Sequence, residues 1–454
     1  MSHQFKVVIC TLLGLSLFLP VIACTPTAAE PVTITILYNG SPSEFQRDYG
    51  DEFAKEFPHI SVNVVSMQDL PSYLNLTVDQ LLEAAKSHNA DIVQIFDRML
   101  LDAVRMGKLT NLEPYIQKSD YDIAKLYPPV VDWLRQNGEG EIFGLSAWFD
   151  PSALFYNRSL FDKHGVPYPQ PGISWPEVLE LAARFPSTDE FVGLSLRGTL
   201  SQFLFATVGN SERIAFYDQQ GTNLTVETET WKRYWSMIID AYTDGHLITA
   251  SSDAVLKKTV AEEELLRKNG GAFAAGKAAM TLGDVSLMET LDRMSEYNPP
   301  IVPPFEWDLV PEPNARAYPG VLDYLVADRI YSIPTDSAHK DAAWELVKFM
   351  NEEATVNRIG AISGIGVLPA IREAVSVHPD KNMDAFYAFR KLEPLPALRF
   401  PYFTFYELAD KEIEAVRGGV KTAEEALHDL QLSGQAALEE WKAAESSEKQ
   451  ASAE

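Results

Sequence analysis

The 454-residue chain predicts an α/β protein, and three segments near its start carry that prediction. Val32-Thr33-Ile34-Thr35-Ile36-Leu37-Tyr38 alternates apolar with β-prone polar residues, the two-residue period of a strand. Phe45, Tyr49, Phe53 and Phe57 recur every fourth position behind the capping serines 41 and 43, the stripe of a helix that packs on a sheet. Asp91-Ile92-Val93-Gln94-Ile95-Phe96 is mostly apolar, as a parallel strand covered on both faces is. Strand, helix and buried strand in succession mean a sheet wrapped by helices.

The same rhythm continues. Pro58 stops the first helix, residues 60–65 read as a second strand and 74–87 as a second helix. Residues 141–148 and 153–156 are extended segments separated by Asp150-Pro151, and Ser174-Trp175-Pro176-Glu177 is a capping box opening a helix over 178–185. Further helices are expected at 231–242, 338–350 and 423–441, and extended runs at 192–196, 278–282, 307–310, 322–327 and 330–333. Proline-rich loops at 299–304 and 394–401 punctuate the second half, and the Ala, Ser, Glu and Lys of 447–454 are expected to fray. No internal repeat is present.

Composition excludes several functions. With 38 Lys+Arg against 64 Asp+Glu the net charge is −26, and no basic block interrupts it. Such a chain repels the phosphates that dominate nucleic-acid affinity and gains nothing from an anionic membrane surface. A hydrophobic content of 46% excludes a disordered acidic tail. The eight histidines are scattered without a pair at ligand spacing, so no metal site and no cofactor is expected. No Gly-x-Ser-x-Gly is present, and Gly364-x-Gly366 runs into Val367-Leu368-Pro369 rather than into a nucleotide-binding turn. A secreted glycoside-cleaving enzyme using two carboxylates is the enzymatic alternative, but carboxylates in so acidic a chain are mostly solvated surface.

Both cysteines lie within the first 24 residues, so the body has no disulfide framework. Lys6 is followed by an apolar run over 7–19, shorter than the roughly 20 residues a bilayer span needs, which fits a signal segment. Val21-Ile22-Ala23-Cys24 resembles the lipobox of bacterial lipoproteins. That resemblance implies a signal peptide over 1–23, a lipid on Cys24 and a tether over 24–31. An ordinary signal peptide with an incidental cysteine is the alternative.

Several motifs, in order, resemble the extracellular solute-binding proteins of ABC importers, in the group that includes the maltose-binding protein. They are Asp91-Ile92-Val93 with Asp97-Arg98; Ile142-Phe143-Gly144-Leu145 through Leu154-Phe155-Tyr156-Asn157 to Trp175-Pro176-Glu177; Phe273-Ala274-Ala275-Gly276-Lys277; and Ala342-Ala343-Trp344. The resemblance implies a two-lobed periplasmic-binding-protein-like fold of type II with three chain crossings, near Trp148-Phe149-Asp150, near 307–310 and near Gly366-Val367-Leu368-Pro369. It implies an N-terminal lobe of 32–147 plus 311–365 and a C-terminal lobe of 150–306 plus 370–446. It also implies a non-enzymatic monomer that passes a solute, foremost a carbohydrate, to the permease of an ABC importer.

Ligands in such sheets bind beyond the carboxyl ends of strands. A sugar offers hydroxyls to carboxylates, amides and arginine, and C–H faces to aromatic rings. Asn39 follows the first strand, and Asp97 with Arg98 follows the third; in the maltose-binding protein a matching Asp-Arg pair contacts sugar hydroxyls. Asp97 is otherwise a helix N-cap. Trp148, Phe149 and Asp150 lie at the first crossing, Asp284 follows the strand ending in Gly283, Trp307 marks the expected second crossing, and Tyr324 is set to face the cleft. Gly283-Asp284-Val285-Ser286 replaces a tryptophan-bearing segment of the maltose-binding protein, a departure from a maltodextrin-stacking platform. Asp97, Asp150, Asp284 and Asp323 together leave open a cationic solute such as a polyamine.

Overall fold

The computed structural model describes residues 30–71, 73–250, 271–296, 302–360, 366–372, 380–395 and 402–453. The signal segment and Cys24 lie outside them. In chain order the strands are β1 (Val32–Tyr38), β2 (Ile60–Ser66), β3 (Ile92–Ile95), β4 (Trp148–Asp150), β5 (Ala153–Asn157), β6 (Val192–Ser195) and β7 (Leu247–Ile248), followed by β8 (Ala278–Gly283), β9 (Trp307–Pro311), β10 (Val321–Leu322), β11 (Val326–Asp328), β12 (Ile330–Ser332), β13 (Leu368–Pro369) and β14 (Lys391–Leu392).

Two main sheets result. The first has the order β12-β3-β1-β2, with β1 parallel to β2 from Val32 opposite Ile60 to Tyr38 opposite Ser66, and β12 antiparallel to β3. The second has the order β7-β6-β8-β5-β9, with β6 parallel to both neighbours and β5 antiparallel to β8 and β9. In each sheet the antiparallel member is the strand that enters from the other side of the molecule. Between the sheets lies a third, β11-β4-β13, whose central β4 is antiparallel to both neighbours. The remaining short pair, β10 with β14, is parallel.

The aromatic stripe behaves as its period demands. Ser41 caps Pro42–Phe45 through a capping box with Glu44, a wide turn follows over Gln46–Gly50, and the helix resumes over Asp51–Glu56. Phe45, Tyr49 and Phe53 are buried there together with Ile34, Ile36 and Leu37 of β1. Burying each large side chain contributes about 1.5–3 kcal/mol. In the second lobe, Ser174 caps Trp175–Ala182 through a capping box with Glu177, and this helix lies so close to β6 that a Cβ on Gly193 would stand 2.2 Å from the Ala182 carbonyl oxygen. Glycine permits that approach. A second buried cluster gathers Trp175, Phe205, Trp231, Trp235 and Phe405 beneath the long helices.

Three expectations are corrected. Residues 307–310 are not a crossing: they belong to β9, an edge strand paired with β5 from Asn157 opposite Trp307 to Ala153 opposite Pro311. Residues 311–316 do not begin the first lobe either, because Asn314 N–H donates to the Ile173 carbonyl, Ala315 N–H to that of Ser211, and Arg316 pairs with Glu177; β10, a few residues on, pairs with β14, which Asp132 and Gln136 hold to the first-lobe helix Pro128–Asn137. The chain returns to the first sheet only through β11 into β12. A short apolar run reads alike as an edge strand or a crossing, and only its pairing partner separates the two. Finally, the helix Ala423–Ala453 continues through residues expected to fray, in keeping with the helix propensity of Ala, Glu, Lys and Gln.

Candidate ligand-binding cleft

Strand ends carry the polar candidates. β1 delivers Asn39 and β3 delivers Asp97 and Arg98 on the first-lobe side, while β8 delivers Asp284, β6 delivers Arg197, β4 ends in Asp150 and the β4–β5 connection adds Pro151 and Ser152. A pocket of about 300 Å³ lies where the link meets the second sheet, lined among others by Phe149, Asp150, Arg197, Asp284, Tyr324 and Phe386. A larger hollow of about 820 Å³ lies on the flank of the link, away from these strand ends; its Lys125 and Arg372 pair with its Glu353 and Asp384.

The candidates divide. Phe149, Asp150, Asp284 and Tyr324 share the pocket. Phe149 is itself buried and packs on Tyr127 and Tyr387 at 5.1 and 5.5 Å, so it presents only an edge. Tyr324 is 67% exposed. Arg197 Nη1 donates to both carboxylate oxygens of Asp284 at 3.1 and 3.2 Å, and Asp284 also accepts from Leu287 N–H at the start of the helix Val285–Glu296.

Asp150 is the crowded member. Asp150 is exposed at the end of β4, yet the protein around it withholds water from one side, and this, then the charges of Asp284 and Asp328, pushes its carboxyl up to about 6, with Arg197 pulling the other way. Behind it, Ser152 Oγ donates to Glu312. Glu312 and Asp323, both half-buried, are held well above the ordinary carboxylate range chiefly by desolvation; the charge of Asp323 raises Glu312 further. Although the Tyr324 ring is exposed, partial desolvation, then the charges of Asp97 and Asp150, raise its phenol.

On the first-lobe side, the Asn39 side-chain oxygen accepts from Tyr73 OH at 2.5 Å and its backbone N–H donates to Gln94 Oε1 at 3.0 Å. The Arg98 guanidinium lies 4.8 Å from the Phe96 ring centre and donates to the Leu76 carbonyl. Asp97 is the first helical residue of Asp97–Arg105, with Phe96 in the N-cap position and no capping side chain. The capping alternative for Asp97 is therefore not the geometry found.

Two aromatic candidates lie elsewhere. Trp148 is fully buried in the link, with the Arg329 guanidinium 5.2 Å from its ring centre, and does not line the pocket. Trp307 is buried on β9, stacked with Phe155 at 5.6 Å and covered by Lys381 Nζ at 4.5 Å. Alternation along β4 puts Trp148 and Phe149 on opposite faces, and Asp150 reaches the pocket because it stands at the end of the strand. Sequence reasoning missed Arg197 and Glu312. The signal for Arg197 was present, since a charged residue and a glycine follow the apolar strand 192–196 directly.

Residues 39–356 match the family of bacterial extracellular solute-binding proteins. The chain belongs to that family. Membership makes this solute-binding protein a receptor rather than an enzyme. It is 24% identical over 402 residues to a putative binding protein of Brucella abortus, covering 85% of this chain and 87% of the relative. Among solved structures it resembles the sugar-binding protein MalE of Xanthomonas citri, with 19% identity, a TM-score of 0.63 and coverage of 90% and 98% of the two chains. It also resembles a Listeria monocytogenes ABC substrate-binding protein in complex with cycloalternan, with 22% identity, a TM-score of 0.58 and coverage of 89% and 98%. These likenesses establish the periplasmic-binding-protein fold of the solute-binding protein. Among its described residues, no helix is long and apolar enough to cross a membrane and no group of three or more His, Cys, Asp or Glu is placed to hold a metal ion.

Proposed function

We propose that this solute-binding protein holds a mono- or oligosaccharide between its lobes and delivers it to the permease of an ABC importer. The observation that carries the reading is the convergence of Asp150, Asp284, Arg197 and the open face of Tyr324 on one pocket beside the link. Such a set supplies donors and acceptors for hydroxyls and a ring face for C–H groups. Structural neighbours solved with cycloalternan, α-D-tagatose and D-mannitol support a hydroxyl-rich solute. Asn39, Asp97 and Arg98 are assigned to the opposite wall, reached when the lobes rotate together about the three-stranded link. The protein acts as a monomer, held at the outer face of the cell membrane by acyl chains on Cys24, each buried CH₂ contributing about 0.8 kcal/mol.

A thermal-shift panel of mono- and oligosaccharides tests the proposal. A ligand at 100 times its dissociation constant stabilises the folded state by about 2.7 kcal/mol, a readily measured shift. Failure of every saccharide to raise the melting temperature, or turnover of an oligosaccharide during incubation, would refute it.

A further inference from the structure

Resting on the saccharide reading, we infer that the solute presents a protonated amine to Asp150, so that the cargo class is an amino-sugar-bearing saccharide rather than a neutral one. The charges around the pocket motivate this. Its lining cation, Arg197, is already spent on both oxygens of Asp284. Arg329, at the carboxyl edge of the first sheet, is turned onto the Trp148 ring and toward Tyr49, and Arg98 lies over Phe96. The Asp150 carboxylate, exposed at the end of β4, has no hydrogen-bond or ion-pair partner among the described residues, and it lies in the field of Asp284, Asp328 and the paired Arg197. An independent feature points the same way: the exposed Tyr324 ring stands in the same pocket, within the electrostatic reach of both Asp150 and Asp97. An aromatic face beside carboxylates is a receptor for an ammonium group.

Closure of the lobes takes Asp150 out of water. Hydroxyls satisfy its lone pairs but leave its charge uncompensated, and a buried carboxylate without a counter-charge either costs heavily or takes up a proton. An ammonium group supplies hydrogen bonds and charge together. The two cases differ in sign. A neutral sugar binds the protonated form of Asp150 better, so its affinity rises as pH falls through about 6, where this carboxyl titrates. A cationic solute needs the ionised form, so its affinity falls over the same range.

Isothermal titration calorimetry on the purified protein decides the matter, with glucosamine oligosaccharides and 6-amino-6-deoxy disaccharides set against their hydroxyl and N-acetylated counterparts, and with spermidine. The expected result is an amine saccharide bound on the order of 30-fold or more tighter than its hydroxyl parent. That preference should be lost in Asp150→Asn, partly kept in Asp150→Glu, and weakened on acidification. Equal affinity for parent and amine, a preference that survives Asp150→Asn, or no binding by any amine probe overturns the inference. Neutral saccharides binding without amine preference leave the saccharide reading intact. Spermidine binding alone, through Asp150, keeps the ammonium pairing and removes the saccharide.

Discussion

The two sides of the proposed cleft are built on different plans. On the first-lobe wall the polar groups are tied into their own lobe: Tyr73 and Gln94 orient Asn39, and Phe96 carries Arg98. On the opposite wall, charge is crowded and partly uncommitted, with Asp150 open beside the Arg197–Asp284 pair and the half-buried Glu312 and Asp323 behind it. A wall whose groups are fixed before the ligand arrives loses little entropy on binding, whereas a wall of crowded carboxylates selects its partner by charge. The first wall is suited to positioning, the second to discrimination.

The sharpest way to break this division is at the link between the walls. Trp148→Ala should lower stability by about 3–5 kcal/mol in chemical denaturation, because it empties a fully buried site. An unchanged midpoint combined with lost solute binding would return Trp148 to the cleft. The crowded wall should next show itself through pH. Glu312 and Asp323 have raised carboxyls in the folded state, so folding favours their protonated forms. Their stabilising contribution is complete below about pH 4 and is lost as pH rises through the raised values. The ligand-free melting temperature should therefore fall from mildly acidic toward neutral and alkaline pH, and Glu312→Gln should flatten that slope; an unaltered slope would deny the crowding.

Smaller effects separate individual residues. Asp284→Ala removes both a helix-start acceptor and the partner of Arg197, and should cost on the order of 1–2 kcal/mol in thermal unfolding. No loss would make that contact incidental. Asp97→Ala should change ligand-free stability by less than about 0.5 kcal/mol, since this residue caps nothing, while weakening solute binding measured by calorimetry. If stability drops and binding survives, the first wall is not the positioning surface described.

Much of this architecture was legible in the residues. The alternation over 32–38, the aromatic stripe and the Ser174–Glu177 box each led to the element found, because each is a local pattern with a local cause. The placing of Asp150 and Asp284 beside a pocket was legible because they follow strand ends, whereas Tyr324, expected within an extended run over 322–327, stands in the connection between β10 and β11. What escaped depends on pairing across the chain. Whether Trp307 lies on an edge strand or a crossing is decided by β5, about 150 residues earlier in sequence, and the burial of Trp148 is decided by Arg329 and β11. The Ser152–Glu312 contact joins residues 160 apart and leaves no local trace.

The three-stranded link carries one more implication. β4 is held by backbone hydrogen bonds on both sides, to β11 and β13, and each of the three is only two or three residues long. Bending a strap this narrow leaves its pairing intact, whereas sliding one strand along another would break the ladder and flip side chains to the wrong face. Bending of the strap is therefore the expected motion between the lobes, and register slip the resisted one. Inserting a single residue into β11 would test this mechanically: it should misalign the lobes far more than a substitution at the same place.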